Sequence, residues 1–291
     1  MDTEYKNTIR KHFPELTGKI EVLRGQEKDL VFLDKKCVFI FPKSINEKSK
    51  LKTELNIFPQ LELSITLPIP NFKYVPIDCS FAGYDYLPGK CLTNDVFEKL
   101  SLEQKDMIAN QVSIFLNELH SFPLPTCRRC GIIQATSEKE ILEATKKEVN
   151  LILKKISKDE AAFLNSLIEH CSKNCKEVFK YALCHKKIDS DHLIFSEDNN
   201  AISGVISFGR FEIDDPASDF AYLWEYGEDF VDKVLYGYFL NSVDFKQRSL
   251  RWYTYILLND AVCGLKKNDE ECWKKKYERL KLITNNLVAN N

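Results

Sequence analysis

The sequence predicts an α+β protein with two lobes and a cleft between them. Its first part, of about 85 residues, contains short β-type segments separated by charged turns. Helical periodicity dominates the rest, but two short β-type segments, 193–195 and 202–206, interrupt it. Because a sheet and a group of helices must each bury one face, we expect a small β-rich lobe, 1–87, against a larger helical lobe, 88–291.

The first lobe is predicted to contain an antiparallel meander flanked by helices. β-branched and aromatic residues fill its successive strands, and the turns between them are charged. Ser44 is suited to cap a helix in which Leu51, Leu55 and Phe58 share one face. We expect helices at 3–13 and 44–61, and strands at 19–25, 28–34, 36–42, 71–77 and 81–87.

The second lobe is predicted to be mainly helical. Ile108, Val112, Phe115, Leu116 and Leu119 recur at helical spacing. The turn "SEDNN" joins the two internal strands into a hairpin. We expect helices at 96–122, 137–156 and 159–174, and helices throughout the segment from 217 onward.

Composition excludes several classes of partner. The 41 basic and 43 acidic residues give a net charge of −2, so no overall field attracts nucleic acid or anionic membrane. No apolar segment approaches the roughly 18 residues of a spanning helix, and the N-terminus lacks an apolar signal core. We therefore expect a cytoplasmic protein. Its ten cysteines are interpreted as mostly buried thiols, in preference to a zinc site at Cys127, Cys130, Cys171 and Cys175.

Five segments in order carry a resemblance to a known family. They are "FIFPKS" (39–44), "FAGYDYLPGKCL" (81–92), "ANQVSIFLNELHSFP" (109–123), "LCHKKIDSDHLIF" (183–195) and "VISFGRFEIDDPASDF" (205–220). The chain resembles the aminoglycoside phosphotransferase family, above all the aminoglycoside 2″-phosphotransferases. That resemblance implies a protein-kinase-like fold that binds ATP or GTP between its lobes.

The resemblance implies nucleotide-binding roles for residues of the small lobe. Lys43 matches the lysine that contacts nucleotide phosphates, and Glu54 matches its ion-pair partner. Tyr84, Tyr86 and Leu87 fall in the hinge, where backbone groups hold adenine or guanine. The same hinge residues are equally consistent with an ordinary strand between the lobes.

The catalytic positions depart from the family. Its catalytic loop reads roughly H-N-D-L-H-S-D-H, so the base aspartate aligns with Lys187, whose ammonium cannot accept a proton. Its metal segment reads I-I-D-F-G-D, which places Ser207 at the metal aspartate and Arg210 at the later acid. Loss of a general base typically costs about 10²–10⁴-fold in rate. Mg²⁺ prefers carboxylates, so each change disfavours a divalent cation.

Other residues of the loop 185–192 could still support catalysis. His185 begins the loop and is expected to bond nearby backbone, and His192 aligns with the second metal ligand. Asp189 lies two residues beyond Lys187 and could act as a displaced base, and Asp191 matches a family aspartate. A carboxylate displaced by about 1 Å already loses much of its positioning effect.

Two functions follow, and they differ in chemistry. The first is a pseudo-kinase that binds a small molecule, nucleotide or protein partner without phosphoryl transfer. Lys43, Lys186, Lys187 and Arg210 would make its cleft cationic and able to hold an anion without metal. The alternative is a divergent small-molecule phosphotransferase that uses Asp189 or Asp191 as base; nucleotidyl transfer ranks last because it too needs a metal.

Overall fold

The small lobe is built on a five-stranded antiparallel sheet with strand order β1-β2-β3-β5-β4. The protein is described by a computed structural model that covers residues 2–175, 180–239 and 242–288. The predicted meander is confirmed, and so is the α+β class. The strands are β1 (Ile20–Arg24), β2 (Lys28–Leu33), β3 (Cys37–Pro42), β4 (Phe72–Tyr74) and β5 (Ala82–Asp85).

Strand alternation gives the sheet two distinct faces. The outer face packs under helix α1 (Asp2–His12) through a cluster that contains Ile9, Val31, Leu33, Phe39 and Phe81. The inner face, toward the cleft, is a smaller apolar surface of Leu30, Phe32, Val38, Ile40, Phe72, Tyr84 and Tyr86. Gly83 is required on β5 because a Cβ there would lie 2.5 Å from the Phe39 ring.

Helix α2 (Ile45–Leu61) joins the two lobes. As predicted, Ser44 caps it, accepting a hydrogen bond from the Glu47 N–H at 3.2 Å. Ile57, Phe58 and Leu61 are buried in the same cluster as the core of the large lobe. The helix therefore positions Glu54 between the sheet and the large lobe.

The large lobe begins after β5, and one predicted helix is divided there. The segment 96–122 forms α3 (Asn94–Glu98) and α4 (Leu102–His120), because Ser101 and Gln104 close a reciprocal capping box that starts a new helix. The other helices are α5 (Leu124–Arg129), α6 (Glu138–Ile152), α7 (Lys158–Asn174), α8 (Glu228–Tyr236), α9 (Phe245–Lys266) and α10 (Glu270–Val288). None of the described helices is long and apolar enough to cross a membrane.

Two small sheets in the large lobe hold the polar loops. β7 (Ala182–Cys184) pairs with β10 (Glu212–Asp214), and β8 (Leu193–Ser196) pairs with β6 (Lys90–Cys91) and β9 (Ala201–Val205). The loop 185–192 connects β7 to β8, and the loop 206–211 connects β9 to β10. Both loops therefore leave neighbouring strands and face the small lobe. Pro216–Phe220 and Tyr222–Tyr226 form 3-10 turns where continuous helix was expected. The lobe boundary at residue 87 stays a prediction.

Candidate functional site

A cavity of about 260 Å³ lies between the β1–β2 turn and the two polar loops. We call it the interlobe cavity. It is lined by Leu23, Gly25, Glu27, Lys28, Leu30, Glu47, Lys187, His192, Ser207, Gly209 and Arg210. The structure thus brings three of the predicted site residues, Lys187, His192 and Ser207, to one cavity.

Lys187 lies at the cavity, next to the Asp189 carboxylate considered above as a displaced base. Its ammonium is 3.6 Å from the Asp189 carboxylate. The other oxygen of Asp189 is bonded to the His192 ring and accepts from the Asp191 N–H at 3.1 Å. Burial alone would raise the pKa of Asp189, but His192 and Lys187 outweigh it and hold the pKa below its usual value. The displaced base considered above is therefore tied up and weakly basic.

Ser207 adopts a strained backbone conformation and contacts a lysine. Its φ is +68°, in the left-handed region that disfavours residues with a Cβ. Lys28, from β2, places its ammonium 3.5 Å from the Ser207 hydroxyl. A cation therefore lies beside the position that aligns with the family's metal aspartate.

The structure corrects the predicted Lys43–Glu54 ion pair. Lys43 lies on the outer side of the sheet, where its ammonium is 2.8 Å from Asp29 and 2.6 Å from the Gly25 carbonyl oxygen. Residues three apart on an extended strand face opposite sides, so it is Ile40 that faces the cleft. In the family segment FRFPKS the arginine stands at the position of Ile40. Lys43, predicted to contact nucleotide phosphates, therefore lies on the face of the sheet that points away from the cleft.

Glu54 lies behind Gly209, which lines the cavity, and it does not pair with Lys43. It is 5% exposed, and burial raises its pKa to about 7, against the opposing charge of Lys28. Its carboxylate abuts Gly209, where a Cβ would lie 2.9 Å from the Glu54 oxygen and 3.9 Å from the Lys28 ammonium. Lys28 is thus the cation nearest to both Glu54 and Ser207 in this part of the cleft.

His185 and Lys186 are held by the protein interior. The His185 and Lys186 N–H groups donate to the two oxygens of Asp219 at 2.8 and 2.6 Å. The buried His185 ring bonds the Ile206 carbonyl oxygen at 3.1 Å, and burial lowers its pKa to about 4. The Lys186 ammonium is bonded to Asp214 and lies 4.6 Å from the Trp252 ring centre. Lys186 is therefore not one of the free cations expected in the cleft.

Two acids that follow the loop 206–211, Asp215 and Asp219, are also held by other side chains. Asp215 is fully buried, 3.0 Å from the Arg248 guanidinium, and Asp219 is bonded to His120 at 3.1 Å. Among the residues that the structure describes, the only three-residue group able to offer ligand atoms to a metal is His120, Cys184 and Asp219, beneath the loop.

The residues around Ser207 do not fit a magnesium ion. The donors there are a hydroxyl and an imidazole, the nearby Asp189 is bonded to His192, and an ammonium lies 3.5 Å from the hydroxyl. Mg²⁺ requires an octahedral set of hard, mostly anionic oxygens. No catalytic step through this metal follows from these residues.

The predicted hinge residues Tyr84 and Tyr86 belong to the apolar cluster on the inner face of the sheet. Tyr84 is 5% exposed, and burial raises the pKa of its phenol. It packs edge-on against Phe72, and Tyr86 packs edge-on against Phe32. Leu87 covers β9 so closely that a Cβ at Gly204 would lie 2.6 Å from it. These side chains are therefore packed against their neighbours, and Tyr84 is buried.

A larger cavity, of about 730 Å³, opens on the other side of the loop at Ser190. It carries both signs of charge, with three acids (Glu98, Glu225, Glu278) and three bases (Lys275, Lys276, Arg279). Lys276 is paired with Asp260 at 2.8 Å, and Arg279 bonds the Trp224 carbonyl oxygen at 2.5 Å. The lining of this second cavity therefore has no excess of either charge.

Comparison with known proteins decides the family. A family model described as "Phosphotransferase enzyme family" matches residues 22–253. The chain belongs to this family. The protein-kinase-like fold expected from the sequence is confirmed.

Solved structures of phosphotransferases match nearly the whole chain. A GDP complex of a mutant aminoglycoside 2′-phosphotransferase IIIa is 25% identical, with a TM-score of 0.85 and full coverage of both chains. A GDP and kanamycin complex of a type IIIa 2″-enzyme is 24% identical, with a TM-score of 0.83 and coverage of 97% and 99%. A type I macrolide 2′-phosphotransferase is 16% identical, with a TM-score of 0.71 and coverage of 96% of each chain.

Sequence reasoning missed Lys28, although a signal for it was present. In "KDLVFL" the residues Asp29, Val31 and Leu33 alternate with Lys28, Leu30 and Phe32, so the two sets must face opposite sides. Applied to β3, the same rule separates Ile40 from Lys43.

Proposed function

We propose that this family member is a pseudo-kinase that binds a nucleotide between its lobes and does not transfer its phosphate. The observation that carries the proposal is Lys187, whose ammonium lines the interlobe cavity at the position of the family's base. An ammonium at neutral pH has no lone pair for a hydroxyl proton, so the position cannot act as a general base.

Three features support retained binding. The inner face of the sheet is apolar, and its half-buried side chains Leu30, Phe32 and Tyr86 are the ones available to a purine such as that of ATP or GTP. Lys28, Lys187 and Arg210 place three cations around the cavity, against Glu27 and Glu47. Glu47 is already paired with Lys50 at 2.6 Å. A phosphate chain is therefore the kind of ligand that the cavity suits.

Two features argue against the alternative, a divergent phosphotransferase. The displaced base Asp189 is bonded to His192 and approached by Lys187, which favours its weakly basic charged form. The second cavity, at Ser190, is lined by equal numbers of acids and bases, where a polycationic substrate would need excess acid. We therefore rank binding without transfer above catalysis through Asp189.

A thermal-shift screen tests the proposal. The protein is heated with ATP, GTP or kanamycin, each with and without Mg²⁺, and a site filled at about 100 times its Kd stabilises by about 2.7 kcal/mol. We expect a nucleotide to raise the melting temperature and kanamycin to have little effect. A melting temperature unmoved by any nucleotide would overturn nucleotide binding.

A further inference from the structure

Lys28 lines the cleft without a direct ion-pair partner among the residues that the structure describes. Among the described residues, no carboxylate lies within 4.0 Å of its ammonium, and the Ser207 hydroxyl lies 3.5 Å from it. The neighbouring Asp29 cannot neutralise it, because alternation turns Asp29 to the outer face, where Tyr5 and Lys43 bond it. The ammonium is therefore available to a ligand.

The surroundings fix where that ligand would be bound. Lys28 lies beside Gly209 with Glu54 behind it, and Lys187 and Arg210 line the same cavity. The Gly25 N–H of the β1–β2 turn is not available to a ligand, because it already donates to the Lys28 carbonyl oxygen and to Asp29, both at 3.1 Å. Side-chain cations, not backbone amides, are thus the groups offered to an anion here.

We propose that the Lys28 ammonium binds the phosphates of the nucleotide directly, at the position where related enzymes would need a metal, so that binding is independent of Mg²⁺. This rests on the nucleotide binding proposed above. The ligand class is a metal-free nucleoside di- or triphosphate. Bound Mg²⁺ would bring positive charge toward Lys28, Lys187 and Arg210, where the lining offers only Glu27 and the Lys50-paired Glu47 to offset it. Mg²⁺ therefore weakens binding by withdrawing free nucleotide from the solution.

Calorimetric titration with ATP and with ADP tests this. Each nucleotide is titrated once in EDTA and once in excess Mg²⁺, into the wild type, Lys28→Met and the control Lys19→Met, an exposed lysine outside the cavity. We expect the wild type to bind ATP in EDTA at least as tightly as in Mg²⁺. Lys28→Met should weaken that affinity by about 10-fold or more, or about 1.4 kcal/mol, and Lys19→Met should leave it unchanged.

A second variant keeps the test decisive if Lys28→Met does not fold. Ser207→Asp places a carboxylate beside Lys28, so affinity in EDTA should fall and Mg²⁺ should now strengthen binding. Wild-type binding that requires Mg²⁺, or that is equal in Lys28→Met, would overturn the role of Lys28 and leave nucleotide binding intact. No binding of either nucleotide by the wild type would instead overturn the proposed function itself.

Discussion

Replacing Glu54 by glutamine should stabilise the protein at neutral and alkaline pH. The carboxyl group of Glu54, a residue of α2, is buried against Gly209, and Lys43 is turned to the other face of the sheet. Burial raises its pKa from 4.5 to about 7; the charge of Glu47 raises it further and that of Lys28 opposes the rise. Glutamine keeps the shape and removes the ionisation.

The size of the effect follows from linkage. A carboxyl whose folded pKa is above its unfolded value gives stability below the unfolded pKa and loses it as pH rises through the folded pKa. A rise from 4.5 to about 7 corresponds to about 3 kcal/mol lost at high pH. The Glu54→Gln variant should therefore gain about 2 kcal/mol on the wild type between about pH 5.5 and about pH 8.5.

Urea denaturation of both proteins at several pH values measures this difference. The gap should open as pH rises from 4.5 to about 7, and it should level off above that range. A variant that is less stable than the wild type at alkaline pH would refute the reasoning, because it would mean that ionised Glu54 has a strong partner. A gap that does not change with pH would refute it as well.

Three further stability predictions follow, each measured by urea denaturation. Arg251→Met should lower the free energy of unfolding by about 3–5 kcal/mol, because it leaves buried Glu138, now 2.8 Å from the guanidinium, without its charge partner. Adding Glu138→Gln should restore part of that stability, and additive losses would contradict the pairing. Ser207→Gly should be about 1 kcal/mol more stable than Ser207→Ala because φ is +68°; equal stabilities would argue against the strain. Gly209→Ala should cost about 1–3 kcal/mol by crowding Glu54, and a neutral result would show that the carboxylate can move.

Local patterns predicted the fold because each element depends on its own residues. The period-two alternation of β2 and β3 and the Ser44 cap are encoded within a few positions, and the structure forms both. Even the break in the helix at 96–122 was readable, since Ser101 and Gln104 have capping-box spacing. The order of the five motifs then assigned the family.

The charge pattern of the cleft could not be predicted in the same way. Lys186 is neutralised by Asp214, which is 28 residues away in sequence and adjacent only because β7 pairs with β10. Aligning Lys43 with a family lysine ignored the face on which its strand presents it. Such partners depend on tertiary contacts, which spacing along the chain does not carry.

Phosphoryl transfer is the activity that the site residues should be unable to perform. The wild type is incubated with labelled ATP or GTP, Mg²⁺ and kanamycin or gentamicin, beside a Lys187→Asp, Ser207→Asp double variant and an Asp189→Ala variant. We predict no phosphorylated product above the enzyme-free background from the wild type. Wild-type turnover that disappears in Asp189→Ala would contradict the loss of catalysis and establish Asp189 as the base.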